Sequence, residues 1–337
     1  MLLNFDYITP PELTGFVREA LADRQQNEFT LSRWLSNRTV DDLDYRFTRG
    51  GEGLVDAATF RAYDAETPIG ARPGLSRVSG ELPPISRKVR LGEYDRLRQR
   101  HLDQQVTDGL MSDAERMTRA VAARVEMARG DALTTGKVTI AENGVTATVD
   151  FGRAAGHTVT AAIPWSTVAT ATPLADLIAW RDTYRATNGV NPGVALISTT
   201  ILGYLLRNAE IRALAATVAG TPTIVSQAAV AQVFDAYGLP PFEVYDAQVR
   251  VAGVATRIVP ADKVLLLPAA GDTELGATLY GTTAESLEPE YGIEGDEPGI
   301  VAGVYSTKDP IALWTKAAAV ALPVLANPDL SFAADVA

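Results

Sequence analysis

The stretch that most restricts the fold is "SDAERMTRAVAARVEMARGDALTTG", Ser112 to Gly136, running into "KVTIAENGVTATVDFG". Ala114, Met117, Val121, Val125, Ala128 and Ala132 recur at three- and four-residue spacing, which lines one face of a helix. Arg116, Arg119, Glu126 and Arg129 fall mainly off that stripe. Ser112 followed by Glu115 has the form of a capping box. The spacing predicts a helix opening at Ser112, about 30 Å long over roughly 20 residues. Val138 and Ile140, then Val145, Ala147, Val149 and Phe151, alternate on either side of Asn143-Gly144. Asn-Gly between alternating runs predicts a hairpin. A long amphipathic helix feeding a hairpin points to an α+β protein.

The same stretch imitates a phosphate-binding loop, G-x-x-x-x-G-K-[ST]. Gly130 stands one residue too far from Gly136-Lys137, and Val138 occupies the position of the magnesium-holding hydroxyl. The order is also inverted, because such loops run from strand into helix. Lys137 is therefore expected at the carbonyl end of the helix, where a cation is favoured. Arg129-Gly130-Asp131 matches an adhesion tripeptide, but it falls within the helical pattern and is read as chance.

Other chemistry is sparse. There is no cysteine, which excludes disulfides, thiolate zinc sites and cysteine nucleophiles. His101 and His157 are the two histidines, and both read as ordinary polar residues. Asp41-Asp42 and Glu294 to Glu297 sit in polar contexts. Tyr45, Phe47, Phe60 and Tyr63, among arginines, could stack bases, but at strand spacing they more often face a sheet or a subunit. No catalytic, cofactor-binding or metal-ligating residue is assigned. The net charge of −11 disfavours tight wrapping on nucleic acid. The opening "MLLNFDYITPPEL" lacks the form of a signal peptide. The most apolar run, Ala317 to Ala326, is too short to span a bilayer. The chain is expected to be soluble and intracellular when made.

Along the chain, Leu13, Phe16, Val17, Ala20 and Leu21 predict a helix from Pro11, with Thr9 or Thr14 as its cap. A strand is expected at Leu43 to Thr48. Residues 49 to 87 are rich in Gly, Pro and charge and poor in core residues, which suggests an extended hairpin that finds its partner on another chain. Basic residues cluster from Arg72 to Arg100 and acidic ones from Asp262 to Asp309. Two solvated faces are the plain explanation; the sharper one is a basic loop meeting an acidic surface on another copy. Helices are expected over "PLADLIAWRDTYRATNG", "TTILGYLLRNAEIRALA" and "SQAAVAQVFDAYGLP". Strands are expected at "VALIS", "FEVYDAQVRV", "ATRIV", "KVLLLP" and "ATLYG", and again toward the C-terminus.

Taken in order, "ELTGFVREALADRQQNEFTLSRWLSNRTV", "LPPISRKVRLGEYDRLRQR", "ALTTGKVTI" with "ATVDFGR", and "PVLANPDLSFAADV" resemble the tailed-phage major capsid protein E family. This is the lambda-type branch of the Hong Kong 97 capsid fold. The resemblance implies an N-arm at 1–45, an E-loop at 46–88, a P domain at 89–171 with its spine helix at about 112–134, an A domain at 172–304, and a return to the P domain at 305–337. It further implies that the 137–151 hairpin and the C-terminal strands share the P-domain sheet, and that Gly130 is a bend point of the spine helix. The implied function is that of a non-enzymatic major head protein assembling into pentamers and hexamers of an icosahedral shell around double-stranded DNA. Scaffolding protein, portal, maturation protease and a decoration protein are the implied partners, and the virion the implied location. An encapsulin-like cargo shell and an enzyme with an unrecognised carboxylate or Ser site are the alternatives.

Overall fold

The computed structural model describes residues 2–3, 6–49, 61, 76–98, 103–142, 145–215, 220–272, 274–293 and 299–337. The chain divides into two compact units, each gathered from distant segments. One comprises 1–46, 79–130 and 277–324; the other comprises 47–78, 131–276 and 325–337.

In the first unit, the N-terminal helix Pro10–Asn27 is opened by Thr9. Its N–H and hydroxyl both donate to the Glu12 carboxylate, at 3.2 and 2.8 Å. These bonds hold the Glu12 carboxyl below its usual range. Thr14 is not the cap: it is buried, donating to the carbonyl of Ala302 at 3.1 Å and accepting from its N–H at 3.2 Å. Leu13 and Val17, one turn apart, bury fully against Val106, Leu110 and Ala114 of the long helix and against Ala302, Val304 and Leu313.

The long helix spans Asp103–Thr135, so it starts nine residues before the expected Ser112. Val106 and Leu110 extend the apolar stripe upstream of Ala114, and burying them decides the start. The Ser112–Glu115 box lies inside the helix. With 33 residues the helix is about 50 Å long. It is continuous through Gly130, the last residue of the first unit's middle segment.

The sheet of this unit has six strands. Its order is Leu2–Leu3, Val301–Lys308, Ile311–Leu325, Gly276–Gly281 and Ser36–Val40, with Pro84–Leu91 also pairing with Ile311–Leu325. The 15-residue strand Ile311–Leu325 is the hub. It pairs antiparallel with Val301–Lys308 on one side and with Pro84–Leu91 on the other. Asp44–Arg49 and Ser76–Glu81 form a separate two-stranded sheet. Of the segment 49–87 expected as an extended hairpin, residues 50–60 and 62–75 lie outside the described residues.

The second unit is built on a five-stranded sheet ordered Phe242–Val244, Val194–Ile197, Lys263–Leu267, Phe332–Asp335, Thr158–Thr160. Val194–Ile197 is buried throughout, as its unbroken apolar run requires. The helix Pro173–Asn188 ends at Gly189, and Gln227–Ala236 is capped by Ser226, which accepts from the N–H of Ala229. Three expectations are corrected. The helix expected over 199–215 is two, Thr199–Arg207 and Ala209–Leu214. Asn208 takes extended backbone between them and accepts from the N–H of Ile211, starting a new helix. "FEVYDAQVRV" is also two strands, Phe242–Val244 and Gln248–Val251, parted by the buried Tyr245. Lastly, Lys137–Glu142 and Val145–Asp150 pair with each other alone, while the C-terminal strands divide between the two large sheets.

Candidate functional site

The helix exit explains the stretch that resembled a phosphate loop. Gly136 takes φ 70°, the left-handed conformation that ends a helix, and its N–H donates to the carbonyl of Ala132 at 2.9 Å. Arg153, delivered by the hairpin, donates to the carbonyls of Leu133 and Thr134, both at 2.7 Å. Those carbonyls lack intrahelical partners, and they carry the negative end of the helix dipole. Burial pushes the Arg153 pKa down to about 10, opposed by Asp329, so the side chain remains a cation at neutral pH. Phe151 is fully buried beneath this junction. Lys137 pairs with Asp150 at 2.8 Å, with both side chains half exposed. The Gly-Lys pair therefore serves the chain's own geometry.

A second polar cluster is fully buried in the first unit. Arg129 is 1% exposed and Glu126 0%. The guanidinium donates to Glu126 at 2.8 Å, to the Thr278 hydroxyl at 2.8 Å and to Asn37 Oδ1 at 2.5 Å. Glu126 also accepts from the N–H of Leu31 at 2.9 Å, and Thr278 donates to the carbonyl of Leu35 at 2.9 Å. This network ties residues 31–37 to the long helix and to the strand Gly276–Gly281. Sequence reading placed both charges off the apolar stripe. Their i,i+3 spacing and opposite sign were the available signal. Arg129 is sequestered here, so the Arg129-Gly130-Asp131 tripeptide is not offered to a partner.

The basic and acidic runs partly meet within one chain. A groove of about 680 Å³ is lined by Arg87, Lys88 and Lys316 together with Glu288, Glu290 and Tyr291. Lys316 pairs with Glu285. The Lys88 ammonium lies 4.6 Å above the Trp314 ring, while Arg87 and Arg90 are exposed along the strand Pro84–Leu91. Burial, with the Glu285 charge nearby, pushes the Tyr291 pKa up to about 12.

The remaining candidates do not converge. His157 is buried, stacked on Tyr184 and tilted against Phe332, with its Nε2 2.9 Å from the Thr187 hydroxyl. Burial lowers its pKa, the Asp329 charge opposing. Asp41 and Asp42 are exposed and Tyr45 is buried. His101, Phe60, Tyr63 and residues 294–297 lie outside the described residues, as does the side chain of Phe47. Among the described residues, no group of three His, Cys, Asp or Glu side chains could hold a metal ion. No helix described is long and apolar enough to cross a membrane.

The family model described as phage major capsid protein E matches residues 29–336, and the chain belongs to that family. Its function is that of a phage major capsid protein. The search of curated proteins finds no match. Among solved structures, a prophage capsid protein of Escherichia coli CFT073 is similar over 98% of this chain and 99% of that one, with TM-score 0.64 and 14% identity. A phage-related protein of Bordetella bronchiseptica RB50 is similar over 99% and 97%, with TM-score 0.59 and 11% identity. The capsid of cyanophage P-SCSP1u is similar over 90% and 86%, with TM-score 0.50 and 9% identity. At these identities the likeness establishes the fold, which is the capsid fold expected from the sequence.

Proposed function

We propose that copies of this chain assemble into the pentamers and hexamers of an icosahedral head that encloses double-stranded DNA, with no catalytic role. The observation that carries this reading is the match to the capsid family and fold along essentially the whole chain. Residues 1–45 would serve as the N-arm, 46–88 as the E-loop and 89–171 as the P domain. Residues 172–304 would form the A domain, and 305–337 the return to the P domain, ending in a strand on the five-stranded sheet. The pairing of Asp44–Arg49 with Ser76–Glu81 supports a hairpin base for the E-loop. The net charge of −11 supports a shell along which packaged DNA slides. Scaffolding protein, portal and a decoration protein are the proposed partners, and the virion, after assembly in the host cytoplasm, the proposed location.

Electron microscopy and sizing chromatography of the purified chain, with and without its scaffold, test this. Closed shells are expected; a protein that stays monomeric in both would overturn the reading. Deleting residues 51–75 spares both paired strands and the buried Leu82. That variant should fold as a monomer but form no shells.

A further inference from the structure

The second unit carries an exposed apolar projection and an exposed apolar recess, with exposed charges of opposite sign beside them. The projection is the hairpin Gln248–Val251 and Val254–Arg257. Its register sets Val251 opposite Val254, so the two valines share one face at the tip. They are 38% and 67% exposed. The turn between them, Ala252-Gly253, has φ 49° and 87°. Two positive φ values favour Asn-Gly or Gly-Gly. Alanine is strained there, and an apolar residue kept at a strained, exposed tip suggests a contact not satisfied within one chain.

The recess, of about 580 Å³, lies between the helix Gln227–Ala236 and the edge strand Phe242–Val244. Ala228 and Ala231 leave its helical wall open. Phe234 and Phe242, edge to face at 5.3 Å, form its apolar floor. Asp235 stands exposed on its rim, and Arg250 is exposed on the hairpin face opposite the valines.

We infer that the Val251–Val254 tip of one copy enters the Ala228–Phe242 recess of the next end-on, the valines against the Phe242 side and Arg250, on the other face of the hairpin, meeting Asp235 on the rim. Tip and recess are different surfaces of the same unit, so the contact is head-to-tail and closes only as a ring. The occupant is a second copy of this chain: apolar tip and apolar recess match, and the flanking charges complement one another. This inference rests on the proposed shell function and specifies the contact that builds its rings.

Because the chain has no cysteine, cross-linking tests the contact without background. The double variant Ala231→Cys, Val254→Cys should, on oxidation of assembled particles, give a ladder of covalent oligomers. Ile163→Cys, Val254→Cys, pairing the tip with another exposed site, should give none. Arg250→Asp and Asp235→Arg should each slow assembly at least tenfold, and together restore it. Circular dichroism of each monomer separates assembly effects from misfolding. Normal shell formation by the single charge variants, together with no ladder from assembled Ala231→Cys, Val254→Cys particles, would overturn this inference while leaving the shell function intact. Cross-linking of the tip to a co-expressed phage protein instead of to itself would also overturn it. Failure of the unaltered chain to assemble under any condition would remove the shell function and this contact with it.

Discussion

Arg129 and Glu126 form an ion pair with essentially no exposed surface, 2.8 Å apart on one turn of the long helix. Each also holds a different segment, Arg129 reaching Asn37 and Thr278, and Glu126 the N–H of Leu31. The pair is as much a clamp on residues 31–37 as an electrostatic bond. Removing one partner strands the other charge in the interior, so Arg129→Met and Glu126→Gln should each cost about 3–5 kcal/mol. The double variant Glu126→Gln, Arg129→Met strands no charge, so its cost should fall well below the sum of the two single losses. Urea unfolding of the three variants measures this, and additive losses would contradict the coupling of the two charges.

The helix exit makes a separate prediction. Arg153→Met leaves the Leu133 and Thr134 carbonyls without their donor and should cost roughly 2–3 kcal/mol, the scale of hydrogen bonds to a charged group. Gly136→Ala forces a side chain into left-handed backbone, where its Cβ would also lie 3.1 Å from that of Arg153. The backbone term alone is about 1–2 kcal/mol. Thermal melts of both variants test the junction, and Lys137→Ala, which removes only a half-exposed pair, should be near neutral.

His157 gives the second unit an acid sensitivity. Its folded-state pKa lies below the ordinary 6.5, because burial disfavours the cation more than Asp329 favours it; Arg153 adds to the lowering. The unfolded chain therefore takes up the proton first as pH falls. Stability from this group is complete above pH 6.5, declines below it, and levels off once the folded pKa is passed. His157→Gln should flatten the melting temperature between pH 7.5 and 5 relative to the unaltered chain, and an unchanged slope would contradict the assignment.

At the hairpin tip, stability and assembly should part. Ala252→Asn supplies the residue that φ 49° favours and should stabilise the monomer by about 1 kcal/mol. It also places a polar side chain at the apolar tip, so the rate of shell formation, followed by light scattering, should fall. Faster assembly would argue that the tip remains in water.

Most local elements were readable because their signals are local. The 3.6-residue stripe, the Asn-Gly pair, and the caps at Ser226 and Gly189 each fix an element from a few neighbouring residues. The boundaries that differed were set by distant partners. Val106 and Leu110 lengthen the long helix because Leu13 and Val17 cover them. Asn208 divides a continuous helical pattern because its side chain also reaches the carbonyls of Val168 and Ala171. The buried Glu126–Arg129 pair looked exposed because its partners, Asn37 and Thr278, lie far away in sequence. The recess and the apolar tip left no pattern beyond an alternating strand and an alanine-rich helix.

The strand Ile311–Leu325 has a consequence for synthesis. It joins the sheet to residues 84–91 and 301–308, and Leu313 completes a core with Leu13 and Val17. A chain still on the ribosome holds two-thirds of that unit with no strand to close it. Such non-local closure is slow compared with helix formation. The surfaces of the first unit thus mature only after Ile311–Leu325 has been made, which delays that unit's encounters with other copies until its sheet can close.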